Sequence, residues 1–164
     1  MMIREIAIVG GYMTYRETSL ILKLVNAAAA VACIVVAVVV IPQLEQGNRL
    51  PLGATPAFAL GILPLLAVAL TSWRLFSRIA QGELFSKENA YLLRLMGYFA
   101  AADALLWLVL LVTYLVAVSP VAFSVVASLS VALIFAISLT VIAAALSLFT
   151  TRASSLKDEN DLVI

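Results

Sequence analysis

Asp103 is the residue of this 164-residue chain best placed to do chemistry. It is the one ionisable group well inside a long apolar run. A lone carboxylate at the centre of a bilayer costs about 2.5–3.5 kcal/mol on insertion scales. It must therefore be neutral or paired. As a functional group it would hold a proton or a cation. As a structural group it would be a neutral Asp hydrogen-bonded to Asn26, Ser72, Tyr114 or a serine of the last apolar run. Asn26 is the other intramembrane polar candidate. Aspartyl hydrolysis needs two carboxylates in one site, and the apolar runs supply one. The sequence has no histidine, which removes the usual base for a serine nucleophile and the commonest metal ligand. Ser124 and Ser128, one helical turn apart, and Ser130, Ser138, Thr140 and Ser147 therefore read as packing hydroxyls. Cys33 reads as a small hydrophobe within its apolar run. No phosphate loop, zinc spacing or dinucleotide fingerprint occurs. The residues point away from an enzyme, and no cofactor or metal is expected.

The elements that must carry these residues follow from composition. Hydrophobic residues make up 65% of the chain, charged residues 12%, and the mean hydropathy is +1.15. Soluble domains are about 45–50% apolar and about 25% charged. The balance excludes a disordered chain, a disulfide scaffold and a nucleic-acid binder. It leaves an integral membrane protein of one domain, whose first partner is the lipid bilayer. A spanning helix needs about 20 apolar residues. Four segments qualify, at about 20–41, 55–73, 95–118 and 121–151. Lys23 is the only charge in the first, and Pro42 is expected to close it. That segment starts too late and runs too long for a cleaved signal peptide. Gly61 and Pro64 predict a kink or an opened turn in the second. The fourth would be roughly 46 Å long as a helix, against roughly 30 Å of hydrocarbon, so it must tilt or project. Ser119-Pro120 is the whole break between the third and fourth. The predicted fold is all-α: a membrane four-helix bundle, an N-terminal arm over 1–19 and an acidic tail over 152–164.

Charge sets the expected orientation. With four spans, Arg4, Arg16, Lys23, Arg74, Arg78, Lys87, Arg94, Arg152 and Lys157 share one side, and Arg49 stands alone on the other. The positive-inside rule then places both termini and the 74–94 connection in the cytoplasm. In that connection Gly82 is placed to end a helix in a left-handed conformation, and Ser86 to cap the next. Glu88 falls in its first turn. The result is a short interfacial helix or elbow. It either lies on the headgroups with its cations on lipid phosphates or docks a soluble partner. In the tail, Asp158, Glu159 and Asp161 precede Leu162-Val163-Ile164. Such an end is either solvated or able to add to a partner as a strand or in a groove. The small residues Gly97 and Ala101 predict close helix approach.

The run Gly82-Glu83-Leu84-Phe85-Ser86-Lys87-Glu88-Asn89, with Leu92, Leu93, Arg94 and Gly97, resembles the "GxxFSxxN…LR…G" signature of the DUF2975 family. The closing Asp158-Glu159-Asn160-Asp161-Leu162-Val163 is similar to that family's "xENDLxV" terminus. The resemblance covers about 20–164. It implies a small four-helix bacterial membrane protein, often encoded beside a helix-turn-helix regulator, and it brings no catalytic residues. Gly82, Phe85, Ser86, Asn89 and Arg94 in the loop are thus candidate partner contacts. So are Asp158, Glu159, Asn160, Asp161 and Leu162 in the tail. The leading expectation is a non-enzymatic membrane protein that holds or releases such a regulator. The alternatives are a small transporter or channel subunit titrating at Asp103, and a structural subunit of a membrane complex. Further copies of the chain are an open partner; direct nucleic-acid binding is not expected.

Overall fold

The computed structural model describes residues 14–161. The arm before residue 14 and Leu162 lie outside the described residues, as do the side chains of Asp158, Asn160 and Asp161. Helix α1 is Tyr15–Val35; a π-helical turn, Val36–Val40, leads into α2, Ile41–Gln46. Helices α3 (Ala54–Ala80), α4 (Lys87–Ala117) and α5 (Phe123–Asp161) follow. The architecture is all-α, with four helical rods long and apolar enough to cross a membrane. Large apolar side chains face outward along all of them, Leu24 at 70% exposure and Val116 at 83% for example. That is the inverse of a soluble bundle and the arrangement that lipid stabilises.

Each rod outruns its expected span, for local reasons. Helix α1 begins at a capping box inside the expected arm. The Thr14 hydroxyl accepts the Glu17 amide at 3.3 Å, and the Glu17 carboxylate accepts the Thr14 amide at 2.9 Å. Pro42 does not close the first rod. A proline has no amide to donate, and its ring crowds the carbonyl four residues back. The π turn absorbs this: the Ile41 amide reaches back to the Val36 carbonyl, and Pro42 then sits in the first turn of α2. Nor do Gly61 and Pro64 open a turn: α3 is α-helical from end to end. Gly61 instead makes room for a neighbour, its Cβ position lying 3.1 Å from the Trp107 ring. The last two rods turn at Ser119-Pro120, a cis peptide bond.

The packing is sequential. Helix α1 lies on α3, α3 on α4 and α4 on α5, and among the described residues α1 makes no close contact with α4 or α5. The largest seam is α4 on α5. Its core is Trp107, Tyr114, Leu129 and Ala136, and Phe58 of α3 meets Trp107 edge-on at 5.2 Å. Gly97 lies 3.6 Å from the Ala143 methyl by its Cβ position. The close-approach stripe continues through Ala100 and Asp103, both 2% exposed, rather than through the exposed Ala101. Helix hydroxyls are satisfied locally, as with Thr140 on the Ala136 carbonyl and Ser138 on that of Ile134. A few reach across: Ser19 to the Phe76 carbonyl, Asn26 to that of Ala69, and Ser147 to that of Ala90. In lipid such bonds average about 0.6 kcal/mol each.

Candidate functional site

The polar features gather at the end where α3 turns into α4. Helix α3 stops in a Schellman motif. Gln81 is its C-cap, the Gly82 amide donates to the Ile79 carbonyl at 3.0 Å, and the Glu83 amide to that of Arg78 at 3.2 Å. Gly82 takes φ +81°, with nothing within 4 Å of a Cβ placed there, so only backbone strain restricts the position. Four residues on, the Ser86 hydroxyl accepts the Asn89 amide at 3.2 Å and caps α4. Both expectations from the local sequence hold.

Asn89 and Arg78 close the elbow. The Asn89 amide group donates to the carbonyls of Glu83 and Leu84, the latter at 3.2 Å. Its Oδ1 accepts Arg78 Nε at 2.9 Å. The Arg78 guanidinium also pairs with Glu83 at 2.5 Å and with Glu88. Asn89 is 1% exposed. It offers no surface to a docking protein, which corrects its reading as a partner contact: it is the internal clasp of the loop. Gly82 and Ser86 likewise shape the turn. Phe85, at 56%, and Arg94 remain exposed.

Residues 152–161 are the last turns of α5, continuous with the membrane helix. Ser147 is level with Ala90 through their hydrogen bond, and α5 runs on from there to Asp161, about 20 Å further at 1.5 Å per residue. Leu156 is 62% exposed and Glu159 is also exposed. The structure thus puts the elbow and the end of α5 at one end of the molecule.

Asp103 lies apart from them, within the seams of α4. One carboxylate oxygen is buried with no hydrogen-bond partner among the described residues. Trp107, also buried, stands one turn along α4 on the same face. The partners expected from the sequence are engaged elsewhere. Asn26 is on Ala69, Ser72 on Val68 and Met96, and the Tyr114 hydroxyl takes the Ala122 amide. Trp107 was legible only by its spacing of four from Asp103. Among the described residues no cluster of metal-ligating side chains forms.

A family model described as a protein of unknown function, DUF2975, matches residues 44–164. No curated protein and no solved structure matches the chain. The matched stretch takes in α3, α4 and α5 and leaves α1 outside.

Proposed function

The chain belongs to the DUF2975 family, and from that premise we propose that it is a non-enzymatic bacterial inner-membrane protein that holds a cytoplasmic partner. The partner is a helix-turn-helix regulator, as the family's gene neighbourhood suggests, and both chain termini face the cytoplasm with it. Support comes from one observation above all. The elbow and the projecting turns of α5 share one end, and each offers an exposed apolar side chain, Phe85 and Leu156. A clasped loop beside a projecting helix is a rigid, two-part surface. Binding there would be released when the packing of α4 on α5 changes, because one element of the surface belongs to each helix.

The test is co-purification of the tagged chain from native membranes in mild detergent, beside a chain ending at residue 155. The reading expects a small DNA-binding protein with the whole chain and its loss with the shortened one. Undiminished capture by the shortened chain would remove α5 from the surface.

The orphan oxygen of Asp103 favours a second reading, a small transporter or channel subunit. In that case Asp103→Asn abolishes a pH-dependent flux in proteoliposomes, and an unaltered flux ends that reading.

A further inference from the structure

Two cavities open side by side on the face between α3 and α4, below the elbow, and they share Trp73, Arg74 and Leu92. The one nearer the elbow, about 550 Å³, has a polar mouth that includes Ser77, Gln81 and Tyr91. The other, about 400 Å³, runs down between Leu70, Thr71, Leu95 and Phe99 into the apolar part of the helices. Together they form one groove, polar at the end of the spans and greasy below.

Arg74 stands at the junction of the two. It is exposed and has no ion pair or hydrogen bond among the described residues. The other charges lining the groove are Arg78 and Glu88; these are paired with each other, and Arg78 also holds Glu83 beside the groove. Arg74 is therefore the one charge lining the groove without a partner among the described residues. Its surroundings mark its depth. Trp73 is 46% exposed and Tyr91 62%, both aromatics of the kind that sit at headgroup level. From α1, the Lys23 ammonium lies 5.5 Å from the centre of the Trp73 ring. The indole thus has a cation of α1 beside its ring and shares both cavities with Arg74.

We propose that this groove binds one anionic phospholipid, with its phosphodiester on Arg74 and an acyl chain along Leu95 and Phe99. One unpartnered guanidinium in the lining matches one phosphodiester charge. The apolar cavity continues from the polar one where a glycerol ester would join headgroup to chain. Both carboxylates beside the mouth, Glu83 and Glu88, are held by Arg78 rather than turned to the ammonium of a zwitterionic headgroup. The proposal rests on the reading of the four helices as membrane-spanning and not on the cytoplasmic partner.

The whole chain, delipidated in detergent, would be titrated with phosphatidylglycerol, phosphatidylethanolamine, phosphatidylcholine or inorganic phosphate, and bound adducts counted by native mass spectrometry. One phosphatidylglycerol is expected to bind in preference to the zwitterionic lipids. Arg74→Gln should reduce that preference about fivefold, the factor one cation near a membrane surface supplies. Leu95→Trp, which fills the apolar cavity and keeps the charge, should weaken all three lipids together. Circular dichroism would check that each variant remains helical. Equal binding of phosphatidylglycerol and phosphatidylcholine by the unaltered chain would overturn the proposal. So would an unchanged preference in Arg74→Gln, or saturation by inorganic phosphate that blocks no lipid. The chain ending at residue 155 keeps the lipid preference if only the partner reading fails.

Discussion

Two buried polar side chains on α4 have opposite fortunes. Asn89 uses its whole amide group, on Arg78 and on two loop carbonyls. Asp103 keeps an oxygen with nothing to bond. Removing a group whose partners then stay buried costs about 1–3 kcal/mol. Asn89→Ala should therefore lower the melting point in detergent and open the 82–86 loop to protease. An unchanged melting point and cleavage pattern would show that the clasp contributes nothing. The sequence made the roles of Gly82 and Ser86 legible because each acts on its own backbone, within a few residues. It did not do so for Asn89, because a motif position looks the same whether it faces a partner or the inside of its own loop. For Asp103 the isolation was legible and the surroundings were not. Which side chains face it depends on the register between helices, and one sequence carries no record of that.

Helix ends are where the elements departed from expectation. Hydropathy finds the part of a helix that suits lipid, and the helix continues for as long as its backbone is capped. The Thr14 and Glu17 box was present in the sequence but lay outside the apolar run. The π turn before Pro42 follows from tertiary accommodation and has no signature in residue types. Helix α3 shows a cap supplied from a distance. Gly53 stands at its N-cap with no side chain to offer, and the Glu45 carboxylate of α2 accepts the Gly53 and Thr55 amides at 2.7 Å each. Glu45→Ala should then lower the unfolding midpoint, as losing an N-terminal cap does. Glu45→Gln should recover part of the loss. Thermal unfolding of the three chains in one detergent decides this, and equal midpoints would show that water replaces the cap.

For the molecule as a whole, four apolar rods, their order and the tight last hairpin were legible from composition and spacing. Their pairing was not, because in lipid it rests on small-residue fit and a few hydrogen bonds rather than on an apolar face. The pairing is testable by cross-linking. With Cys33→Ala as background, Ser19→Cys with Phe76→Cys should be joined by a short bifunctional thiol reagent. Leu24→Cys with Leu148→Cys should not. Joining of the second pair within one copy would mean that α1 closes on α5. The sequential pairing also has a bearing on biogenesis. A nascent chain enters the bilayer from its N-terminus, and here each rod docks on the one inserted just before it. Asn26 of the first waits only for the Ala69 carbonyl of the second, and the Ala90 carbonyl of the third waits only for Ser147 of the fourth. Among the described residues no rod waits for a neighbour beyond the next one, so each can pack as that next helix leaves the insertion machinery.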